Sequence, residues 1–420
     1  VEDAFLEDAF LIDSVRFECA HDNSYRGKEN RVIVGVPKEN YPGERRVALV
    51  PAVIPALAKA GLEVIVESGA GAQAGYPDSA YVEKGGKILA DRSALFSAAD
   101  VIVQVLCYGS NDVTGKADLP LMRRGQLLIG FLRPFGSAEV MQQIAAAGVN
   151  AFSVELVPRT TRAQSMDALS SMGTICGYKA VLLAAETSIR IFPMMTTAAG
   201  TITPARVFVI GAGVAGLQAI STARRLGAVA SAYDMRPAAK EQVQSLGGRF
   251  VELPLEAQNA QDARGYGTAQ DEAFYARQRE LLTRVVAESD VVITAAVIPG
   301  KKSPVLITAD MVKGMAPGSV IVDLASERGG NCELTRTGET VQDHGVTIIG
   351  AINLASSVPY HASQMFARNV TAFLAYIVKD GQLQLNPQDE IIRETMVTRD
   401  GEIVNARVRE FFKLPALAPA

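Results

Sequence analysis

The sequence predicts an α/β protein built of two doubly wound parallel-sheet domains, the second inserted in the first. Three observations predict it. The chain has 420 residues, more than one ordinary core accommodates. From Arg31 onward, short apolar runs alternate with helical segments, the pattern of parallel sheets covered on both faces. Finally, Arg206 to Asp234 reads as strand, Gly-x-Gly-x-x-Gly turn, amphipathic helix, strand and acid.

In chain order, residues 1–30 repeat Glu-Asp-Ala-Phe-Leu, turn polar, and have no readable role. Apolar runs at Val32 to Val36, Glu63 to Glu67, Val101 to Val105, Leu127 to Phe131 and Val149 to Val154 predict the first strands, with helices near 51–60 and 137–147 between them. A long Ala/Leu-rich helix is expected from about Ser165 to Ile189. Six further strands follow, at Arg206 to Ile210, Val229 to Tyr233, Arg249 to Leu253, Val291 to Thr294, Val320 to Asp323 and Thr347 to Gly350. About 70 residues remain after Gly350, including a helix near Ser363 to Val378. They are too few for another domain and are expected to return to the first. The implied domains are 31–172 with 357–420, and 173–356. Residues 254–272 form an unusually long polar connection around Arg264-Gly-Tyr-Gly267; it reads either as a mobile lid carrying Tyr266 or as a plain surface insertion.

A net charge of −4 and pI near 5.7 leave no basic footprint, which excludes nucleic acid as the expected partner. Cys19, Cys107, Cys176 and Cys332 are scattered, which predicts reduced thiols with neither a disulfide framework nor a metal site. The longest uncharged run, Val346 to Ala367, holds Asn353, Pro359, His361 and Gln364 and is too polar to cross a bilayer, so a soluble chain is expected. The chain begins at Val1 without an initiator methionine, leaving room for sequence upstream.

The glycine turn is the most informative stretch. Gly211 allows the tight turn out of the strand, Gly213 lets the backbone approach a pyrophosphate, and Gly216 lets the helix pack closely on the sheet. The pyrophosphate would sit on the helix N-terminus. Asp234 ends the next strand, where a carboxylate accepts hydrogen bonds from the adenosine ribose and repels a 2′-phosphate. The prediction is therefore a Rossmann NAD-binding domain, preferring NAD over NADP. Arg236 is the one nearby cation that could hold a 2′-phosphate; with Asp234 in place it reads as a solvated loop charge.

An alcohol or amine dehydrogenase also needs a placed acid or base. The chain has three histidines, and His361 alone falls near the expected cleft, where it reads as a helix-start hydrogen-bonding residue. Polar groups concentrate instead in Arg159-Thr-Thr-Arg-Ala-Gln-Ser-Met-Asp-Ala-Leu-Ser-Ser171. There Asp167 and Ser170 share a helix face, preceded by Arg159 and Gln164 between the domains, where crevices form. Asp167 also reads as a helix-dipole partner. These residues leave open an NAD enzyme of unknown substrate or a nucleotide-sensing module.

The segment from Arg159 to Ser171, Thr197-Ala-Ala-Gly-Thr201, the glycine turn and the Arg-Gly-Tyr-Gly loop together resemble the NAD(H)-binding domain of proton-translocating nicotinamide nucleotide transhydrogenase, over roughly Arg31 to Val404. The resemblance implies a Re/Si-specific enzyme component that passes hydride from NADH to NADP⁺ held on a partner domain, coupled to proton translocation by a membrane domain. It implies that Arg159, Gln164, Asp167 and Ser170 surround the nicotinamide and that Tyr266 closes on it. Gly211, Gly213, Val214, Ala215, Gly216, Asp234, Met235, Arg236 and Ala296 would hold the rest of the nucleotide. It further implies a homodimer peripheral to an energy-coupling membrane, on the cytoplasmic or mitochondrial-matrix side. The chain also resembles alanine dehydrogenase, through Val36-Pro-Lys-Glu39, Arg46-Val-Ala48 and Val322-Asp323 before Gly329-Gly330. That resemblance makes an amino-acid oxidoreductase the alternative, but the lysine and histidine of that family are replaced by Leu106 and Arg133 and its aspartate by Glu327, which removes its proton-handling groups. Met172 stands where transhydrogenases commonly carry glutamine.

Overall fold

The computed structural model describes residues 31–255, 260–261, 268–298, 300–379, 381–415 and 417. The first strands are β1 (Val32–Val36), β2 (Leu62–Glu67), β3 (Lys87–Leu89), β4 (Val101–Leu106), β5 (Leu127–Phe131) and β6 (Asn150–Ser153). A short hairpin follows, β7 (Met195–Thr197) and β8 (Gly200–Ile202). The second set comprises β9 (Arg206–Ile210), β10 (Val229–Tyr233), β11 (Arg249–Phe250), β12 (Val291–Thr294), β13 (Val320–Asp323), β14 (Thr340–Asp343) and β15 (Val346–Gly350). Last come β16 (Val378–Lys379) with β17 (Gln382–Leu383), and β18 (Met396–Arg399) with β19 (Glu402–Ile403).

Apart from the β7–β8 and β16–β17 hairpins, these strands build two doubly wound sheets. The first has order β19-β18-β6-β5-β4-β1-β2-β3 and the second β11-β10-β9-β12-β13-β15-β14. Central strands such as β5, β12 and β13 are buried along their whole length, which is why they read as continuous apolar runs instead of alternating ones. The chain leaves the first sheet after β6, builds the second, and returns as β18, which pairs antiparallel with β6. The second unit is thus inserted in the first.

Edges differ from the sequence expectation. β3 and β14 leave no signal in the sequence, because each is short and exposed or only half-buried on both faces. β14 runs antiparallel to β15, with Thr340 opposite Ile349, and gives the second sheet seven strands where six are expected. β11 stops at Phe250, short of Leu253.

Two helices join the units. The first, Ala168–Thr187, starts three residues later than expected, after a 3₁₀ turn at Thr161–Met166. Ala168, Met172 and Ile175 are buried in the first core, whereas Ala180, Val181 and Ala184 are buried in the second. A helix shared in this way needs no single apolar face, and its Ala/Leu-rich sequence shows none. Among the described residues it is the one helix long and apolar enough to cross a membrane, and it serves here as the spine between two cores. The second joining helix, Pro359–Ile377, starts with proline in its first turn, where the missing N–H costs nothing. Its Phe366 and Phe373 meet Phe131 and Phe152 across the first core, each with ring centroids 5.5 Å apart.

Candidate functional site

The second sheet reverses its winding between β9 and β12, so the crevice beyond their C-terminal ends is the place where this fold binds ligands. Gly211 follows β9 directly, at φ +96°, a conformation that favours glycine. A Cβ there would lie 2.9 Å from Ala295 C and Ala296 N. A Cβ on Gly216 would lie 1.9 Å from the carbonyl oxygen of Gly211, so that glycine is required by the helix–strand contact itself. Gly213 is different. Its φ and ψ of −77° and −166° suit any residue, and a Cβ would meet no described atom within 4 Å. Among the described residues no side chain caps the helix Val214–Arg225, whose first-turn N–H groups face this space beside Gly213. The cradle fits an anion such as a pyrophosphate.

Asp234, just past β10, is held by backbone. Its Oδ2 accepts from Ala212 N at 2.8 Å and its Oδ1 from Arg236 N at 2.8 Å. Arg236 is not the solvated charge expected from the sequence. Its guanidinium folds back on Asp234, Nε to Oδ1 at 2.9 Å and Nη2 to Oδ2 at 2.8 Å, and only 17% of the side chain is exposed. The hydrogen bonds to Asp234, with its negative charge, outweigh burial and raise the guanidinium pKa further. Met235 lies half-buried between the two.

Ala296 is fixed by a residue that sequence reasoning missed. Asn331 Oδ1 accepts from Ala296 N at 3.0 Å, and Asn331 Nδ2 donates to the carbonyls of Ala296 and Pro304 at 3.0 and 2.9 Å. Asn331 is anchored in turn through its N–H to Asp323 Oδ2 at 2.7 Å. Asp323 is fully buried and also accepts from Thr294 Oγ1, Ala325 N, Cys332 N and Thr335 Oγ1. The available signal was an acid ending an apolar strand, followed by Gly329-Gly-Asn331.

The polar segment leads into the spine helix that packs on the dinucleotide helix. Asp167 is the N-cap of that helix, not a residue within it: its Oδ1 accepts from Ser170 N at 2.8 Å, and its Oδ2 accepts from Ser170 Oγ at 2.6 Å. One turn on, a Cβ on Gly173 would lie 3.6 Å from Val214 Cγ1. One turn further, a Cβ on Gly177 would lie 2.0 Å from Ala215 O. These small residues pack the spine helix on the start of the dinucleotide helix, with the Asp167–Ser170 pair in the turn before Gly173, although about 40 residues of sequence separate the two elements. Arg159 and Gln164 are exposed in the segment leading into the helix. Residues 256–259 and 262–267, including Tyr266 and the Arg-Gly-Tyr-Gly stretch, lie outside the described residues.

A buried polar cluster lies past the C-terminal ends of β1 and β4 in the first sheet. Glu39 follows β1 and accepts from Val105 N at 2.5 Å and Leu106 N at 3.2 Å. Burial, then the negative charge of Glu44, pushes its pKa up to about 8. Burial alone would raise Glu44 as well, but the positive charge and hydrogen bonds of Arg46 outweigh it and bring Glu44 to about 2. Arg46 also donates to Asn353 Oδ1 at 2.9 Å, and Asn353 Nδ2 donates back to Glu44 Oε2 at 3.0 Å. Asn353, at φ +42°, further donates its N–H to Glu327. His361 is exposed and packs edge-on to Tyr360, which itself stacks on Tyr76 at 4.8 Å.

Comparison with known proteins agrees with this geometry. Residues 35–176 match the N-terminal domain, and residues 180–406 the C-terminal domain, of the alanine dehydrogenase/PNT family. In Cereibacter sphaeroides, NAD(P) transhydrogenase subunit alpha is 43% identical to the chain over 374 residues, covering 88% of this chain and 70% of that one. A shorter relative in Rhodospirillum rubrum, the first section of a divided NAD(P) transhydrogenase subunit alpha, is 45% identical over 375 residues, covering 89% of this chain and 97% of that one. The crystal structure of transhydrogenase from Sinorhizobium meliloti is similar with a TM-score of 0.76 and 40% identity, over 89% of this chain and 99% of that one. An L-alanine dehydrogenase structure is similar with a TM-score of 0.74 and 25% identity, over 91% and 99%.

Proposed function

Because the chain belongs to the alanine dehydrogenase/PNT family, we propose that it is the NAD(H)-binding component of a transhydrogenase, exchanging hydride between NADH and NADP⁺ held on a partner domain. The observation that carries this reading is the packing of Gly173 and Gly177 on Val214 and Ala215, which docks the helix capped by Asp167 and Ser170 onto the dinucleotide helix. When bound, the dihydronicotinamide supplies the hydride. The chain's own residues bind and orient. The N-terminus of Val214–Arg225 takes the pyrophosphate, Asp234 the adenosine ribose, and Met235, Arg236 and Ala296 line the nucleotide. Arg159, Gln164, Asp167 and Ser170 position the nicotinamide amide and ribose, and Tyr266 covers the ring.

Direct transfer between two nicotinamides moves no proton between the reactants, so it needs no placed acid or base. Leu106 and Arg133, at positions where a dehydrogenase of this family would carry proton-handling groups, suit that chemistry. Arg133 sits at φ +50° with its N–H donated to the half-buried carboxylate of Glu155.

Partner domains would supply the NADP(H) site and the proton path, which places the chain at the surface of an energy-coupling membrane. A homodimer is supported by the apolar side chains exposed around the β7–β8 hairpin, Ile189, Ile191, Met194, Met195 and Ile202. Sedimentation of Ile191→Ser/Met194→Ser should then give monomers. The central experiment mixes the purified chain with an NADP(H)-binding partner domain. NADH should reduce NADP⁺, and alanine should not reduce NAD⁺. No transfer, or tighter binding of NADPH than of NADH, would overturn the reading; alanine-dependent NAD⁺ reduction would favour the amino-acid dehydrogenase.

A further inference from the structure

The carboxylate of Asp234 is saturated. It accepts four hydrogen bonds, two on each oxygen, which is the capacity of an ionised carboxyl group. The four donors fall into two classes. Ala212 N and Arg236 N are backbone groups, one on each oxygen, and they hold the carboxylate in place whatever the side chains do. The other two, again one on each oxygen, are Nε and Nη2 of the Arg236 guanidinium, held by a side chain that can rotate away. Removing the guanidinium leaves a rigidly held carboxylate with one open acceptor position per oxygen. That is the arrangement a vicinal diol needs to donate both of its hydroxyls.

We propose that Arg236 occupies on Asp234 the place of the adenosine ribose diol, so that NADH binding is an exchange of two hydroxyl donors for the guanidinium, and Arg236 sets both the affinity and the selectivity of the site. The inference rests on the reading of Asp234 as the ribose acceptor. Its consequences have opposite signs for the two nicotinamide nucleotides. Toward NADH, Arg236 is an internal competitor: a partly buried, bidentate, charge-assisted pair is broken before the ribose is seated. Toward a 2′-phosphate, the released guanidinium is a positive charge that the Asp234 turn can offer, so Arg236 keeps the discrimination against NADPH from being larger. Weak holding suits a component that exchanges NADH for NAD⁺ in every cycle.

The test is equilibrium titration of the full chain with NADH and with NADPH, comparing wild type, Arg236→Ala, Arg236→Gln and Asp234→Asn. Replacing Arg236 by Ala or Gln should tighten NADH about three- to tenfold, the range of a partly exposed ion pair. The same variants should weaken NADPH, so the two dissociation constants move apart. A loss of local structure would move both in the same direction; that result, or NADH binding unchanged or weakened in both Arg236 variants, overturns the exchange. Asp234→Asn isolates the underlying reading, because it should weaken NADH at least tenfold. If Asp234→Asn has no effect, the ribose assignment itself fails. If it weakens NADH while the Arg236 variants do not tighten it, only the exchange fails.

Discussion

Gly177 and Ala215 touch backbone to backbone: a Cβ on Gly177 would lie 2.0 Å from the Ala215 carbonyl oxygen and 3.1 Å from its Cα. The spine helix therefore presses on the first turn of the dinucleotide helix through a position where only hydrogen fits. Gly177→Ala should force the two helices apart, costing about 2 kcal/mol of stability and weakening NADH binding. Urea unfolding and NADH titration of that variant would check it, and unchanged values in both would show that the contact yields without consequence.

Gly213 and Gly216 separate ligand from packing. Gly216→Ala drives a methyl group into the Gly211 carbonyl and should destabilise the fold by about 2–4 kcal/mol. Gly213→Ala meets no described atom, so its stability should stay within about 0.5 kcal/mol of wild type. Its NADH affinity should nonetheless fall at least tenfold, since the methyl group would stand where the pyrophosphate approaches. Normal binding by Gly213→Ala would place the pyrophosphate elsewhere.

The observed N-cap role of Asp167 and its proposed nicotinamide role can be divided by conservative substitution. As N-cap it accepts from Ser170 N, and Asn caps nearly as well as Asp, whereas Ala costs about 1 kcal/mol. Asp167→Asn should therefore melt like wild type yet, if Asp167 positions the nicotinamide as proposed, slow hydride transfer with a partner domain about tenfold or more, because its charge is gone. Asp167→Ala should lose both. Equal transfer rates for Asp167→Asn and wild type would reduce this residue to a cap.

Glu39 makes stability fall with rising pH. In the folded chain it keeps its proton to about pH 8, against 4.5 ordinarily, so between those values the folded state holds a proton that the unfolded state has released. The contribution is fully present below pH 4.5 and is lost on the way to pH 8. Glu44, lowered to about 2, acts oppositely: its contribution is present above pH 4.5 and lost as pH falls toward 2. Glu39→Gln should flatten the decline between about pH 5 and 8, by at most about 1.4 kcal/mol per pH unit. Urea midpoints at about pH 5, 6.5 and 8 measure it, and identical slopes for both proteins would refute the assignment.

Tyr266→Ala should loosen NADH and slow transfer several-fold if the 254–272 connection closes over the nicotinamide. An unchanged rate would leave that segment without a role in the reaction.

What was legible in the sequence was whatever is local or periodic. β9, the glycine turn, the helix after it and β10 stand where the pattern put them, because apolar runs, helical periodicity and φ-dependent turn chemistry are written in neighbouring residues. The edge strands β3 and β14 were invisible because an edge needs few apolar side chains. Long-range polar pairing was equally hidden. Nothing near Arg46 announces Asn353, 307 residues away, and nothing near Ala296 announces that Asn331 will clamp it. Arg236 departs from its sequence reading for a related reason: two residues from an acid, it could extend or fold back, and only the backbone donors fixing Asp234 decide for folding back.

The return of the chain to β18 has a consequence for synthesis. Thr398 donates to Val149 O at 2.8 Å and accepts from Ala151 N at 3.2 Å, so the edge of the first sheet is closed by residues made almost 250 positions after the strand they cover. A chain emerging from the ribosome completes the inserted sheet, β9 to β15, while β6 still presents an open edge. Maturation then runs in the reverse of numbering: the dinucleotide unit is finished first, and the amino-terminal unit last. Nascent chains stalled between Gly350 and Met396 should be the ones that aggregate, through the bare flank of β6.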